Sequence, residues 1–333
     1  MSNFLLIFAA ALVCAIGATP IARQVALRLG IINEPAGNRF SNKRIPMLGG
    51  IAMYAAFIIA VLLFAEQFYI SQMLGILVGA TWVSFLGIWD DRKMLNPLAK
   101  FAGQIFGALI LILTGVQVEF LHQPVLNAGA TIVWVLGITN AINFLDNMDG
   151  LSGGVAAIAA FFFLALAALN GQILVGMLAA AMLGAALGFL LYNFNPATIF
   201  MGDAGSLFIG FILAAIGIKL RFPANTDLVT WMVPVLVLGL PIFDTTLVTL
   251  SRLRRRVPIY VGGKDHTSHR LVQFGLSPRA SVLVLYLVSA ACGALALIVA
   301  QADLVTGYAL ASVGALIALI ALWQLESRFQ YPG

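Results

Sequence analysis

The fold of this chain is decided by a stretch without a charged residue, residues 151–193, LSGGVAAIAAFFFLALAALNGQILVGMLAAAMLGAALGFLLYN. It contains two apolar runs, centred near Phe161 and Leu183, on either side of the polar sequence 170–172. A membrane-spanning helix needs about 20 mostly apolar residues. The stretch therefore predicts two membrane helices joined by a short turn.

The same criterion finds further apolar runs on both sides of this stretch, and together they predict about eleven spanning helices. The further runs are centred near Ala10, Ala56, Val78, Ile110, Val135, Leu213, Val237, Ser289 and Ala315. The composition agrees, since 62% of the 333 residues are hydrophobic and 9% are charged, against about 25% charged in a soluble domain. No internal repeat or soluble appendage is apparent. We predict an all-α, polytopic integral membrane protein with one domain over residues 1–333.

The distribution of positive charge predicts the orientation of this domain. With the N-terminus outside, the inner side comprises the C-terminal tail and the loops 23–46, 89–104, 143–154, 192–206 and 251–280. All of the 18 Lys and Arg residues except Lys219 and Arg221 then lie on the inner side. Such a bias marks the cytoplasmic side of a membrane protein. The net charge of +5 is explained by this orientation, so no nucleic-acid partner is expected.

Two adjacent carboxylates, Asp90 and Asp91, end the third predicted helix and precede Arg92. Together they can hold Mg²⁺, which prefers oxygen ligands and keeps waters and substrate phosphates in its shell. The alternative is an ordinary polar loop with a local ion pair. The motif by itself leaves both interpretations open.

A second motif runs from Asn143 to Leu151, NFLDNMDGL. Asp146 and Asp149 are three residues apart, so on a helix both would project from one face. The alternative, a helix–loop–helix joint with capping residues, requires only one Asp or Asn. Here Asp and Asn occupy four of the positions 143–149, which favours a ligand site.

The third motif is Gly202-Asp203-Ala204-Gly205-Ser206, immediately before an apolar helix. Glycine permits close backbone approach, and the N-terminus of the following helix is a natural anion site. A plain N-cap is the alternative for Asp203, and the two roles can coexist.

The fourth motif lies in the longest inner loop and contains His266, His269 and Arg270. Two histidines without a third nearby ligand make a poor zinc site. Donors to a diphosphate fit the basic flanks, Lys264 and Arg270, better. The preceding cluster of arginines at 252–256 is interpreted as positive-inside membrane anchors.

Two further cationic positions have two possible roles each. Lys43 with Arg44 precedes the second predicted helix, and Lys100 lies one turn before Gln104 in the fourth. Either position can hold a phosphate at the membrane surface or anchor a helix by snorkelling.

In their order and on one side of the membrane, the four motifs resemble those of the polyprenyl-phosphate N-acetylhexosamine-1-phosphate transferases. That family includes enzymes that start O-antigen, common-antigen and teichoic-acid assembly, and the phospho-MurNAc-pentapeptide translocase. The resemblance covers nearly the whole chain, and its specificity lies in the joint order of the motifs. There are departures: Ser268 precedes His269 where adjacent histidines are frequent, and the run of three histidines typical of the translocase branch is absent. MurNAc-pentapeptide is therefore the less favoured donor.

The resemblance implies a role for each motif. Asp203, with Asp91, is expected to bind Mg²⁺, with Mn²⁺ as the alternative cofactor. Asp90 and Asp91 are the expected catalytic acids beside the lipid phosphate. The residues expected to bind substrate are Lys100, Asn143, Asp146, Asp149, His266, His269 and Arg270.

The implied reaction moves N-acetylhexosamine-1-phosphate, with N-acetylglucosamine the commonest sugar of the family, from a UDP-sugar to undecaprenyl phosphate, and releases UMP. It would start a lipid-linked envelope glycan at the cytoplasmic face of a bacterial inner membrane. The expected partners are therefore UDP-N-acetylhexosamine, undecaprenyl phosphate and membrane lipids, while a homodimer stays open. Direct displacement is preferred to a covalent aspartyl intermediate. The rival class is a secondary transporter, which predicts acids near the bilayer midplane and paired broken helices.

Overall fold

The computed structural model describes residues 2–33, 45–64 and 70–329, and these residues are almost entirely helical. The one sheet in the described ranges is a short antiparallel pair, β1 (Ile32–Asn33) and β2 (Ile45–Pro46), in which Ile32 faces Pro46. Lys43 and Arg44, the cationic pair of the first inner loop, lie outside the described residues.

The helices follow one another along the chain with short connections. They are α1 (Ser2–Leu29), α2 (Gly49–Leu63), α3 (Ile70–Lys93), α4 (Pro97–Leu113), α5 (Pro124–Leu145), α6 (Leu151–Leu169), α7 (Ile173–Asn193), α8 (Gly202–Lys219), α9 (Asp227–Thr230), α10 (Met232–Val237), α11 (Gly239–Arg255), α12 (Thr267–Gln273), α13 (Pro278–Val299) and α14 (Leu304–Arg328).

The predicted all-α membrane fold is confirmed. In the described part of the chain, eight helices are long and apolar enough to cross a membrane, and the bent segment α9–α11 would make nine. Helices α2 and α4 are apolar but have only 15 and 17 residues, short of the about 20 that a full span needs. Each predicted span centre falls in a helix, while the number of complete spans stays a prediction.

The span predicted near Val237 is not a straight helix. Its two parts, Asp227–Val237 and Gly239–Arg255, meet at an angle of 73°. Pro241 has no backbone N–H and therefore cannot donate to the carbonyl of residue 237, which a continuous α-helix would require. Hydropathy averaged over a window does not register this break.

Helix α8 lies in the interior of the bundle, while α14 is almost wholly at its surface. Close contacts with α2 and α3 are possible because small residues lie where the helices cross. A methyl group on Gly50 would overlap the backbone of Gly205, and one on Gly87 would overlap the backbone of Ala204. Small residues let membrane helices approach closely, and here they bring α2 and α3 to the N-terminus of α8.

The two ends of the bundle differ in chemistry. One end gathers the four motifs, as described below. The opposite end carries the exposed ion pair between Arg221 and Glu119, 2.8 Å apart, and a cavity of about 350 Å³ lined by both residues together with Trp134 and Trp231. None of the predicted site residues lines this cavity. The ionisable motif residues therefore lie at one end of the helices, which does not match the transporter alternative.

Candidate active site

The N-terminus of α8 is capped by a carboxylate from another helix. Asp91, near the end of α3, accepts the backbone N–H groups of Asp203 at 2.8 Å and Ala204 at 3.2 Å. Gly202 begins α8 with φ +69°, and a Cβ there would lie 2.6 Å from Oδ2 of Asp91. Only glycine suits this position. The N-cap considered for Asp203 is thus supplied by Asp91.

One lysine joins two of the acidic motifs. Nζ of Lys100, in the first turn of α4, lies 2.7 Å from Oδ2 of Asp90 and 2.6 Å from Oδ2 of Asp203. Oδ1 of Asp90 accepts the backbone N–H of Leu95 at 2.7 Å, which fixes the turn between α3 and α4. The two carboxylates thus converge on one ammonium group, and Lys100 faces acidic side chains instead of the membrane surface.

Asp90, Asp203 and Lys100 form a group that is called the acidic cluster. The second motif contacts this cluster through Asn143. Its Nδ2 donates to Oδ1 of Asp203 at 2.9 Å and to Oγ of Ser206 at 2.8 Å, and Nζ of Lys100 lies 3.4 Å from its Oδ1. Both oxygens of Asp203 therefore have partners, since Oδ2 receives Lys100 and Oδ1 receives Asn143. A network of this kind holds Asp203 in one orientation.

Asp146 and Asp149 do not share a helical face, so the helical spacing assumed for them is wrong. Helix α5 ends at Leu145, and residues 146–150 form a turn that leads into α6. Oδ2 of Asp149 accepts from Ala197 N–H at 3.0 Å and from Nδ2 of Asn195 at 3.2 Å. The chain must reverse between two packed helices here, and the reversal replaces the predicted helical turn.

The segment between α11 and α13, residues 256–277, carries the fourth motif and is called the histidine loop. It is anchored by a buried ion pair. Arg252 donates to both oxygens of Asp265, at 2.9 and 2.7 Å, and Nη2 of Arg255 lies 2.6 Å from Oδ2. Burial acts to raise the pKa of Asp265, but the hydrogen bonds and charge of Arg252, with further positive charge nearby, lower it to about 2. Arg252 was interpreted as a membrane anchor; the structure instead shows it buried and paired within the loop.

His266 is held by an acid that the motifs did not include. Nδ1 of His266 lies 2.8 Å from Oδ2 of Asp244 on α11, and the backbone N–H of Thr267 donates to Oδ1 at 2.7 Å. All three residues are buried. The ring of His266 also lies edge-on to Phe144, with centroids 6.3 Å apart. Since Phe144 follows Asn143, the histidine loop borders the acidic cluster.

His269 lies next to His266, and its neighbour Ser268 contacts the second motif. His269 is buried, and its ring centroid lies 5.8 Å from that of His266. Oγ of Ser268 donates to Oδ1 of Asn147 at 2.5 Å. Ser268, which departs from the family pattern, therefore ties the histidine loop to the turn that carries Asp146.

Arg270 lies inside the protein and is paired there, and its contact with substrate stays a prediction. Its side chain is completely buried. Nε donates to the carbonyl of Asp265 at 2.9 Å, and Nη1 donates to Oε2 of Glu326 at 2.8 Å and to the carbonyl of Leu325 at 2.9 Å. The guanidinium also lies 4.5 Å from the centroid of the Phe329 ring. Arg270 thus fastens the histidine loop to the end of α14.

Asp244, Asn147 and Ser206 are site residues that the motif analysis did not assign. The sequence contains a signal that could have identified Asp244: it is a lone acid in the apolar sequence LPIFDTT, and such an acid in a membrane helix is a functional candidate by default. Asn147 and Ser206 lie inside recognised motifs, but nothing in the spacing distinguishes them from their neighbours.

The donors at the acidic cluster suit a divalent cation of the Mg²⁺ type. One carboxylate oxygen of Asp90 and one of Asp203 face the same position, which is occupied by Nζ of Lys100. Within the described residues no group of three or more His, Cys, Asp or Glu side chains forms a ready metal cage. Mg²⁺ is usually bound by one or two carboxylates together with substrate phosphates and water. Asp91, the second ligand expected, directs its oxygens to the backbone of α8.

The fold and the site together are those of a multi-pass membrane protein with a cluster of charged side chains at one end of its helices. Residues 73–221 match the family model described as glycosyl transferase family 4. A probable undecaprenyl-phosphate N-acetylglucosaminyl 1-phosphate transferase of Bacillus subtilis is 36% identical over 298 residues, which cover 86% of this chain and 82% of that protein. A decaprenyl-phosphate N-acetylglucosaminephosphotransferase of Mycobacterium tuberculosis is 33% identical over 306 residues, with coverages of 81% and 76%.

The chain therefore belongs to the polyprenyl-phosphate N-acetylhexosamine-1-phosphate transferases, and the resemblance read from its motifs is confirmed. A phospho-N-acetylmuramoyl-pentapeptide-transferase of Streptococcus uberis is also related, at 31% identity over 213 residues, with coverages of 57% of this chain and 64% of that protein.

Proposed function

We propose that this protein transfers N-acetylglucosamine-1-phosphate from UDP-N-acetylglucosamine to undecaprenyl phosphate and releases UMP. The observation that carries the proposal is the convergence of Asp90 and Asp203 on Lys100, beside Asn143, at one end of a membrane-embedded bundle. The names of the relatives that match over most of the chain support N-acetylglucosamine as the sugar. The product would start a lipid-linked envelope glycan.

The reaction is a displacement at phosphorus. An oxygen of the lipid phosphate bonds to the sugar-bearing phosphorus of the UDP-sugar, and the bond from that phosphorus to the bridging oxygen of UMP breaks. UMP leaves with the electron pair. A phosphate monoester has a second pKa near 6, so the nucleophile is largely ionised at neutral pH and needs little help from a base. The main task for the protein is to bring two anions together and to stabilise the charge that develops on UMP.

The acidic cluster would hold Mg²⁺, or Mn²⁺ in its place, through Asp203 and Asp90. Bound there, the ion would supply charge neutralisation to the phosphates. Asp91 would keep Asp203 in place by capping α8, and Asp90 would also position the lipid phosphate. Lys100, released from one of its carboxylates, would supply a positive charge next to the reacting groups.

The second and fourth motifs would bind the UDP-sugar. Asn143, Asp146 and Asp149 surround the turn next to the acidic cluster, where amide and carboxylate groups can receive the hydroxyl and N–H donors of a nucleotide and a sugar. His266, beside Phe144, and His269, beside His266, would lie over the diphosphate. Arg270 would act indirectly, by holding the histidine loop to α14.

The positive-inside rule supports a cytoplasmic active site and an outer N-terminus. The ends of helices that carry Arg92, Lys93, Arg254 and Arg256 lie on the same side as the acidic cluster. A bacterial inner membrane would then present the site to cytoplasmic UDP-sugars. A homodimer is compatible with this arrangement but is not needed to complete the acidic cluster, whose groups all come from one chain.

The test is release of UMP by the purified protein, supplied with UDP-N-acetylglucosamine, undecaprenyl phosphate and Mg²⁺. Release that requires all three components and is lost in Asp203→Asn would support both reaction and sugar. The matched control is Asp303→Asn, which removes an exposed acid at the start of α14 and should retain activity. If UMP is released only with a different UDP-N-acetylsugar, the proposed donor is wrong and the reaction class stands. If folded protein releases no UMP with any UDP-sugar, the proposal is overturned.

A further inference from the structure

Asp244 is a fully buried acid in a membrane helix that no step of the proposed reaction uses. Burial of a carboxylate is costly unless it is paired and hydrogen-bonded. Its two oxygens meet this requirement, because Oδ1 accepts the backbone N–H of Thr267 and Oδ2 lies 2.8 Å from Nδ1 of His266. Both partners lie at the start of α12, so Asp244 determines where this part of the histidine loop sits.

The contact with Asp244 also determines which ring nitrogen of His266 carries a proton and which one is left for a ligand. An ionised carboxylate is only an acceptor, so the ring nitrogen facing Asp244 must carry a proton. Nε2 lies on the opposite edge of the imidazole, and no described residue is its hydrogen-bond partner. The ring is almost completely buried and borders Phe144, next to Asn143 of the acidic cluster. A buried ring anchored at one nitrogen and free at the other is arranged to bind a ligand.

We propose that Asp244 is the positioning residue for His266, which it holds with Nδ1 protonated so that Nε2 is presented to the diphosphate of the UDP-sugar. The inference rests on the proposed function and adds a residue to it. The negative charge of Asp244 also offsets a positive charge on the ring, so Nε2–H can donate a charge-assisted hydrogen bond to the diphosphate. Such bonds are about twice as strong as neutral ones.

Asp244→Asn is a sharp test because it keeps the shape of the side chain. The backbone N–H of Thr267 can only donate, so the amide oxygen of Asn must face Thr267. Its NH₂ group then faces His266 and donates to Nδ1, so Nδ1 carries no proton and the ring can be protonated only at Nε2. The number of hydrogen bonds is retained, while the proton on Nδ1 and the negative charge at position 244 are lost.

The first readout is the ¹⁵N NMR spectrum of protein labelled at histidine, measured at pH 7. The chain has only 3 histidines, and His266→Gln identifies the signals of His266. We expect Nδ1 of His266 to be protonated in the wild type and unprotonated in Asp244→Asn. An unprotonated Nδ1 in the wild type would overturn the proposal, even if Asp244→Asn failed to fold. This readout does not require activity, so it separates the inference from the proposed function.

The second readout is the kinetics of UMP release. We expect Asp244→Asn and His266→Gln each to lower kcat by about 10- to 100-fold, as for the loss of a hydrogen bond to a charged group, with a smaller change in KM. Because Asp244 acts through His266, the double variant should be no slower than His266→Gln. If the fold-loss of kcat in the double variant equals the product of the losses in the two single variants, the positioning role is refuted. Thr246→Val is the control, since among the described residues this exposed hydroxyl on α11 bonds only to the carbonyl of Ile242, at 2.7 Å, and its loss should leave kcat unchanged.

Discussion

The carboxylate of Asp91, near the end of α3, accepts the backbone N–H of Asp203, in the first turn of α8, at 2.8 Å. The first N–H groups of a helix have no partner within it, and the helix dipole places positive charge there. Asp91 accepts hydrogen bonds from two of these N–H groups, and its negative charge offsets the positive end of the helix dipole. The position of Asp203, and through it the orientation of its side chain toward Lys100, therefore depends on a residue far away in the chain.

Replacement of Asp91 by Ala should lower both stability and activity. Loss of an N-cap costs about 0.5–2 kcal/mol, and the first turn of α8 would lose the group that holds Asp203. We expect a lower thermal unfolding temperature in detergent and at least a tenfold fall in UMP release. Asp303→Ala is the matched control, because Asp303 caps α14 by accepting the N–H of Thr306 at 2.8 Å at the opposite end of the bundle. It should affect stability without affecting kcat; equal activity losses in the two variants would contradict the positional role of Asp91.

Replacement of Lys100 by Met should abolish most activity and increase the affinity of the cluster for Mg²⁺. The change removes the ammonium that Asp90 and Asp203 share, and leaves two carboxylates facing the same point. A cation then binds more strongly because it no longer competes with Lys100. The increase in unfolding temperature on addition of Mg²⁺, compared with the wild type, measures this effect without any turnover. Lys93→Met, at an exposed lysine on the preceding helix end, should match the wild type, and an unchanged response to Mg²⁺ in Lys100→Met would argue against a metal between the two acids.

Two arginines that share Glu326 should differ sharply in their importance. Arg270 is fully buried, whereas the side chain of Arg254 is 61% exposed, and each lies 2.8 Å from one oxygen of Glu326. Removal of one partner of a buried pair costs about 3–5 kcal/mol, while an exposed pair contributes about 0–1 kcal/mol. We therefore expect Arg270→Gln to reduce the free energy of unfolding far more than Arg254→Gln. In the fraction that remains folded, Arg270→Gln should leave the KM for the UDP-sugar nearly unchanged; a large rise in KM would instead support a direct contact of Arg270 with substrate.

The stability of the histidine loop should depend on pH through Asp265. Its pKa is lowered to about 2 in the folded protein, compared with about 3.9 in an unfolded chain. A carboxyl whose pKa is depressed on folding stabilises the protein above its unfolded pKa, and the contribution is lost as the pH falls through the folded value. The difference in unfolding temperature between wild type and Asp265→Asn should be constant from pH 7 to about 5, and should shrink between about 4 and 2. A constant difference down to pH 2.5 would show that the ion pair with Arg252 does not set it.

Much of the fold was predictable because hydropathy is a local property. The apolar runs centred near Phe161 and Leu183 became α6 and α7, and every other predicted centre also lies in a helix. The bend at Leu238 was not predictable from the same average, since it depends on the backbone geometry around Pro241. The short helix α4 was predicted as a full span for a similar reason, because the criterion counts apolar residues and not the residue at which a helix ends.

The candidate site was predictable as a set of motifs but not as a set of contacts. Asp203 and Lys100 were both identified, yet their 2.6 Å ion pair was not foreseen. Arg270 stood beside two histidines in the chain and was assigned the same role. In the structure its side chain instead points into the protein, because Glu326 and Phe329 provide a buried partner for its charge and its flat face.

By itself, the sequence determined that this chain is a helical membrane protein and a member of its transferase family, because apolar run length, positive-inside charge and motif order can all be read along the chain. Only the tertiary structure decided which acid caps α8, which cation Asp90 and Asp203 share, and which carboxylate orients His266. These pairings join residues from different helices. Their geometry follows from how closely the helices pack, which is possible where Gly50 and Gly87 leave room for the backbone of α8.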